Sequence, residues 1–196
     1  MKYMLCITLF SSVVGVVSAL PLAVATGGPA IRASETCGGS TNAVPFYRSF
    51  ASSVVDHFYT AQVTLVNNAV NVGSGASGFL LEEVAGLVFA TQEESTVPFY
   101  RLGSAAATDN FYTISTAERD AALQNGYSVF ANDPNTYIYP TQICGSVPFY
   151  RLFSAAGQDN FYTTSESERL DFILNRGYAD VEIAGYVLPV LPTQCI

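Results

Sequence analysis

The chain has 196 residues, of which 49% are hydrophobic and 13% are aromatic. That length and composition exclude a disordered chain and are sufficient for one domain with its own core. The formal net charge is −8, and Lys2 is the only lysine. Because an acidic surface repels phosphate groups and anionic lipid head groups, this charge argues against binding to nucleic acid or to a membrane surface.

Residues 1–19 have the pattern of a secretory signal peptide. They contain one lysine, then an uncharged apolar run, and they end in the small residues Ser18 and Ala19. The apolar run at residues 4–17 is shorter than the roughly 20 residues that a membrane-spanning helix needs. The sequence therefore predicts a secreted, extracellular protein that is not embedded in a membrane.

The next segment, residues 20–43, is rich in alanine, glycine, serine and threonine, which is typical of a flexible leader. Once the signal peptide is removed, three cysteines remain in an oxidising compartment, enough for one disulfide. A bridge between Cys37 and Cys195 would join the two ends of the folded part. A bridge between Cys144 and Cys195 is the alternative, and spacing alone does not decide between them.

Residues 44–196 consist of three tandem repeats, which we expect to form a single domain. The repeats span 44–96, 97–146 and 147–196 and are called units one, two and three. Each opens with VPFYR, and each has an aspartate 12 residues after that valine, in the motif DHFYT or DNFYT. Units two and three share 14 of the 17 residues from the valine to the end of DNFYT. Identity at this level predicts a repeat architecture.

Within each unit, we predict four strands and a short helix between strands two and three. The two aromatic motifs are typical of a β-hairpin. In units two and three, an S-x-x-E capping box at Ser115 and at Ser165 predicts helices that end at Gly126 and Gly177. Residues 61–78 of unit one lack this signal, so we predict a longer loop there. After the glycine, each unit resembles two further strands.

Twelve strands in three equivalent units indicate an all-β, β-trefoil-like fold. A propeller normally has four or more blades, and a solenoid has atypical repeats at its ends. A closed barrel also removes exposed strand edges. The sequence therefore predicts three pseudo-symmetric four-stranded repeats, with the helices as additions to this scaffold.

The motifs VPFYR, D-[HN]-F-Y-T, S-x-x-E-R and A-G-Y-V resemble those of a tandem-repeat domain family of unknown function, found in secreted fungal and bacterial proteins and sometimes joined to hydrolases. The resemblance covers residues 44–196. Units two and three match well, whereas unit one keeps VPFYR, DHFYT and AGLVF but lacks the E-R pair. The resemblance implies a secreted, β-trefoil-like, carbohydrate-binding module and supplies no catalytic residues.

The repeated motifs also contain the candidate binding residues. Carboxylate and amide groups beside a tyrosine ring are suited to a sugar, which offers hydroxyl groups and a C–H face. The alternative interpretation is that the arginine of VPFYR pairs with the aspartate and fixes the hairpin. The candidate ligand-binding residues are Asp56, His57, Asp109, Asn110, Asp159, Asn160, Tyr47, Tyr100 and Tyr150.

Several enzyme classes and metal sites are poorly supported by the residue types present. His57 is the only histidine, and asparagine occupies its position in the other units, so we expect neither a catalytic triad nor a zinc site. Neighbouring acids on a strand point to opposite faces and make poor acid–base partners. We therefore expect a non-enzymatic, monomeric protein without a metal ion or cofactor.

The expected function is lectin-like binding to a glycan or a cell-wall polysaccharide, with three copies of one weak site increasing avidity. An alternative is an inhibitor or effector that binds a host or competitor protein through residues 61–78, because binding residues often lie on loops. A hydrolase without recognisable catalytic residues is the third hypothesis.

Overall fold

The computed structural model describes residues 35–71, 78–130 and 135–190. The predicted signal peptide, most of the predicted leader and Cys195 lie outside these residues. The described residues are mostly β-structure, and none of their helices is long and apolar enough to cross a membrane.

Unit one contains β1 (Ala43–Ala51), β2 (Asp56–Thr60), α1 (Val63–Asn71) and β3 (Leu80–Phe89). Unit two contains β4 (Val97–Ser104), β5 (Asp109–Thr113), α2 (Thr116–Gln124), β6 (Ser128–Val129) and β7 (Thr136–Ile138). Unit three contains β8 (Val147–Ser154), β9 (Asp159–Thr163), α3 (Glu166–Asn175) and β10 (Ala179–Val187).

The two aromatic motifs of each unit form an antiparallel hairpin, because aromatic residues favour strands. The second strand of each hairpin is buried at every residue. The register is the same in all three hairpins, with the tyrosine of VPFYR opposite the threonine of the second motif. The residue before each aspartate has φ 53°, at Val55, Thr108 and Gln158. Three unrelated side chains in one left-handed conformation show that the turn geometry is shared.

The helices of units two and three begin at the predicted serines. The hydroxyl oxygens of Ser115 and Ser165 each accept a hydrogen bond, at 3.2 Å, from the backbone N–H of the glutamate three residues later. Unit one differs from the prediction, because residues 63–71 form helix α1 instead of a loop. The N–H of Gln62 donates to the Thr60 hydroxyl oxygen at 3.0 Å, which turns the chain into α1 without a capping box.

Among the described residues, units one and three have three strands each, where the sequence predicts four. Their last segments form the single strands β3 and β10 instead of a second hairpin. Both strands have two register shifts against the VPFYR strand, and one shift in each lies beside Gly86 or Gly185. A bulge bends a strand without reversing it, so the chain continues in one direction.

The strands form two sheets. One follows the order β2-β1-β3-β7-β4-β5, with β6 also paired to β4, and the other follows β10-β8-β9. Isolated bridges from Leu87 to Leu188 and from Tyr139 to Tyr186 connect the ends of β3, β7 and β10.

Six aromatic side chains from the two repeated motifs form the centre of the core. The rings of Tyr59, Tyr112 and Tyr162 lie edge to face, with each pair of centroids 5.5 Å apart. Phenylalanines from the three VPFYR motifs pack against them, and all six rings are almost fully buried. Edge-to-face rings add attraction beyond the burial of their area, so these motifs stabilise the contact between units. The three phenylalanines are Phe46, Phe99 and Phe149.

The disulfide joins Cys37 to Cys144, so the predicted Cys37–Cys195 bridge is wrong. The chain before β1 lies against the segment that precedes unit three, which brings the two Cα atoms to 5.7 Å. Residues 35–42, which the sequence assigns to the flexible leader, therefore contact the domain. The N–H of Gly38 donates to the Tyr139 hydroxyl, and Glu93 accepts hydrogen bonds from Gly39 and Asn42.

Candidate functional site

The aspartates of the three repeats converge near the centre of the domain. Asp56, Asp109 and Asp159 are buried, and they bring carboxylate oxygens within 4.8 Å of one another. Each begins the second strand of its hairpin. We call the three places where units meet corners: the first lies between units one and two, the second between units two and three, and the third between units three and one.

Each aspartate binds the residue after the aspartate of the next unit. The side-chain amide of Asn110 donates to Asp56, that of Asn160 donates to Asp109, and His57 contacts Asp159 at 2.6 Å. The backbone N–H groups of His57 and Asn160 donate to the same carboxylates. These residues therefore hold neighbouring units together, which a reading of one hairpin alone does not reveal.

The arginine of VPFYR does not pair with the aspartate of its own hairpin. Arg101 and Arg151 donate to the side-chain oxygens of Asn110 and Asn160, the residues beside the aspartates. Arg48 instead binds carboxylates of three glutamates. Burial lowers the pKa of Arg48, but the hydrogen bonds and charge of Glu168, together with the charges of Tyr59 and Glu83, outweigh burial and hold that pKa above its ordinary value. The glutamates are Glu82, Glu83 and Glu168.

At the second and third corners, a tyrosine hydroxyl closes the site. Tyr127 donates to Asp109 at 2.6 Å, and Tyr178 donates to Asp159 at 2.5 Å. Burial raises the pKa of Asp109, against the hydrogen bonds from Tyr127 and Asn160. Both carboxylates thus have donors from the chain itself.

The first corner lacks this hydroxyl, because Phe79 occupies the position of those tyrosines after the helix. Its ring lies 5.7 Å from Phe58, close to the 6.1 Å that separates Tyr127 from Phe111 and Tyr178 from Phe161. Burial, together with the charges of Asp159 and Asp109, raises the pKa of Asp56 to about 7, against the hydrogen bonds from Asn110.

A groove of about 970 Å³ lies beside Asp56 at the first corner. Two small residues stand there in place of rings. Ala69 of α1 stands where α3 has Phe172, which stacks on Phe161 at 3.7 Å in the third corner. Gly103 stands where units one and three have Phe50 and Phe153, and the ring of Phe130 fills the space beside it. The groove is therefore open on the side of Ala69.

The groove combines aromatic walls with a few polar groups. Arg101 lies between the rings of Phe58 and Phe130, 4.3 and 4.2 Å from their centroids. Such an arrangement fixes the guanidinium. Phe130 remains 43% exposed and leaves apolar surface for a ligand. The other main groups at its surface are Asp56, Leu65, Asn68, Phe79, Ser104, Asn110 and Ser128.

Helix α1 also lacks the glutamate that forms a salt bridge to the neighbouring unit in the other two helices. Glu168 of α3 binds Arg48 and Glu118 of α2 binds Arg151, at 2.8 and 3.2 Å. The equivalent residue of α1 is Leu65. The first corner therefore presents an apolar side chain to the groove where the other corners have a carboxylate.

The three candidate tyrosines of VPFYR lie away from the groove and are half-buried. Arg119 covers the ring of Tyr100 at 4.6 Å, and Arg169 covers Tyr150 at 4.7 Å. The corresponding residue for Tyr47 is Val66. Two of these rings are therefore partly covered by the protein's own side chains.

Of the nine candidate residues, the structure brings Asp56, Asp109 and Asn110 to the groove. His57, Asp159 and Asn160 are buried at the other corners. Sequence reasoning missed Phe58, Arg101 and Phe130. The available signal was the set of positions where unit one or two departs from its neighbours, such as the phenylalanine in place of tyrosine at residue 79.

The aspartate cluster is one of two described groups close enough for metal ligation; the other contains the disulfide cysteines. Amide, imidazole and hydroxyl donors already surround the three carboxylates. These donors stabilise oxygen acceptors in the absence of a cation.

A sequence model of a protein family, described as Domain of unknown function (DUF5648), matches residues 45–188. The matched range contains parts of all three repeats. No curated protein and no solved structure matches the chain.

Proposed function

The chain belongs to this family, whose description names no activity, and we propose that the protein is a secreted carbohydrate-binding module with one main site, the groove of the first corner. The observation that carries the proposal is the buried carboxylate of Asp56, which lies at an open groove and lacks the tyrosine hydroxyl of the other corners.

The chemistry of the groove suits a sugar. Its volume is at the upper end of the range for ligand pockets, about 300–1,000 Å³. Phe79 and Phe130 offer apolar surface for the C–H side of a sugar ring, while Asp56 and Asn68 offer hydrogen bonds to its hydroxyl groups. A few polar groups on an aromatic surface fix the orientation of a ligand without a high cost of desolvation.

The same contacts favour one site over three. At the third corner, Phe172 and Tyr178 pack around Phe161, and the carboxylate of Asp159 is fully buried. We therefore assign the binding function to the divergent corner and a structural role to the repeated Asp-Asn and Asp-His pairs. The cyclic contacts of equivalent residues support a β-trefoil-like arrangement in which three hairpins meet at the tyrosines.

The test is a glycan array that includes chitin and bacterial polymers, followed by calorimetry on any glycan that binds. Ala69→Phe places a ring in the groove and should abolish binding. The matched control is Ala122→Phe, at the same helix position of unit two and away from the groove. Absence of binding on the array, or unchanged binding by Ala69→Phe, contradicts the proposal.

A second candidate function is binding of a protein partner through residues 61–78. It is favoured by the exposure of Val63 and Val70 on α1, at 55% and 37%. Changing both to serine leaves the lining of the groove intact and should abolish such an interaction while sparing glycan binding. The opposite result, loss of glycan binding with these substitutions, contradicts this candidate.

A further inference from the structure

Among its differences from the other two corners, the first corner lacks one hydroxyl group. At the second and third corners, a tyrosine ring lies against the phenylalanine of the second strand, and its hydroxyl donates to the aspartate. At the first corner, the ring of Phe79 is in the same relation to Phe58, but it ends in a C–H group. Among the described residues, no hydroxyl donates to Asp56.

We infer that the groove selects ligands with a hydroxyl group on a ring, and that the carboxylate of Asp56 accepts the hydrogen bond from that hydroxyl. This inference rests on the groove being the binding site proposed above. The ligand hydroxyl takes the role that Tyr127 and Tyr178 have at the other corners, and the rings of Phe79 and Phe130 provide the apolar contact.

The position of Asp56 supports this role. Asp56, Phe79 and Phe130 all line the groove, so a ligand that contacts the two rings is close to the carboxylate. Asp56 has only 6% of its surface exposed, and its one described side-chain donor is Asn110. An acceptor oxygen in such a dry site favours a ligand that brings its own donor over an apolar ring of similar size.

The charged groups around Asp56 couple this hydrogen bond to pH. Asp109 on β5 and Asp159 on β9 oppose its negative charge, and Arg101 on β4 lines the same groove. His57, the next residue on β2, faces Asp159, and α1 has no charged residue. A hydroxyl donor favours the ionised carboxylate, so binding releases a proton wherever Asp56 is protonated in the free protein. Affinity for the hydroxyl-bearing ring therefore increases between pH 5.5 and pH 8.

Phenol and toluene are suitable probes because both carry a six-membered aromatic ring and only phenol has a hydroxyl. We expect nuclear magnetic resonance titrations of the protein to show both probes at Phe79 and Phe130. At pH 8, phenol should bind about tenfold more tightly than toluene, from one hydrogen bond to a charged acceptor. At pH 5.5 the difference should be largely lost.

The variant Phe79→Tyr supplies the missing hydroxyl from the protein and should remove the preference for phenol. The control is Tyr178→Phe, which removes a hydroxyl at the third corner and leaves the groove unchanged, so the preference should persist. Equal affinities for the two probes at pH 8, no binding of either, or a preference that survives in Phe79→Tyr overturns the inference.

The same experiments separate this inference from the proposed function. If glycans bind the groove and their affinity depends neither on pH nor on Phe79→Tyr, the proposal of carbohydrate binding stands. The role of Asp56 is then overturned. The expected phenol and toluene results, with no glycan bound on the array, sustain the selection of ring hydroxyls and overturn carbohydrate binding.

Discussion

The hydroxyl group of Tyr162 accepts a hydrogen bond from the backbone N–H of Tyr112 at 2.9 Å and donates one to the carbonyl oxygen of that residue at 2.7 Å. Tyr112 holds the backbone of Tyr59 in the same way, and Tyr59 holds that of Tyr162. The three tyrosines lie on β2, β5 and β9, which are edge strands of their sheets. Their side chains thus satisfy backbone groups that lack a neighbouring strand.

The first prediction concerns this ring of tyrosines. Tyr162→Phe leaves a buried N–H and a buried C=O without partners, so we expect a loss of about 2–4 kcal/mol in the free energy of unfolding. Urea denaturation measures the change. The control is Tyr47→Phe, a half-buried tyrosine whose hydroxyl makes no hydrogen bond to the described residues, for which we expect little change. If Tyr162→Phe loses less free energy of unfolding than Tyr47→Phe, the stabilising role of the three tyrosines is contradicted.

The sequence was informative about local structure and much less so about contacts between units. Serine caps and aromatic strand motifs act over a few residues. The hairpins were therefore predictable from the aromatic motifs, and two helices were predictable from Ser115 and Ser165. The partner of Asp56 is Asn110, 54 residues away, and that of Asp159 is His57, 102 residues away. Such pairs depend on how the units pack, which no local pattern encodes.

The predictions of a second hairpin at the end of units one and three and of the Cys37–Cys195 disulfide were wrong for similar reasons. A bulge and a turn require the same small residues, so the segment around Gly185 did not reveal whether the chain bends or reverses. Cys37 meets Cys144 because residues 35–42 pack on the domain, which their small polar composition did not indicate.

The second prediction concerns Ser49, which is fully buried and whose hydroxyl has no hydrogen-bond partner among the described residues. Leu102 and Leu152 occupy the same position in the other units and are fully buried. Ser49→Leu removes an unsatisfied polar group and adds apolar contact, so we expect a gain of about 1–2 kcal/mol in the free energy of unfolding.

Thermal and urea denaturation measure this gain. The reciprocal variant Leu152→Ser should lose about 3 kcal/mol, because it leaves a cavity and buries a hydroxyl. A loss of stability in Ser49→Leu means that the surroundings of Ser49 do not accept the larger side chain and contradicts the prediction.

The third prediction concerns the disulfide, which joins residues 107 apart in sequence. Closing a loop of this length restricts the unfolded chain, so replacing Cys37 and Cys144 by serine should cost about 2–5 kcal/mol. Denaturation of the oxidised protein and of the double variant provides the comparison. If the stability comes from the contacts of residues 35–42 instead, Asn42→Ala, which removes a bond to Glu93, should cost as much as the double variant.

The fourth prediction concerns the pH dependence of stability. The pKa of Asp56 in the folded protein is about 7, against an ordinary value of 3.8. Between these values the folded state binds more protons than the unfolded state, so the contribution of Asp56 to stability falls as the pH rises from about 4 to 7. Asp56→Asn removes the charge, and its stability should exceed that of the parent protein by about 1–3 kcal/mol at pH 8, with little difference at pH 4.

Urea denaturation at several pH values measures this difference. In Asp56→Asn, the decline in stability with rising pH should become smaller but should not disappear, because burial also raises the pKa of Asp109. Asp180→Asn is a control of opposite sign: a hydrogen bond from Arg169 lowers the pKa of Asp180, so its contribution is present at pH 8 and is lost as the pH falls through the folded pKa. If Asp56→Asn is less stable than the parent protein at pH 8, the hydrogen bonds from Asn110 outweigh the burial of the charge. Asp56 would then act as a structural anchor with an ordinary or lowered pKa.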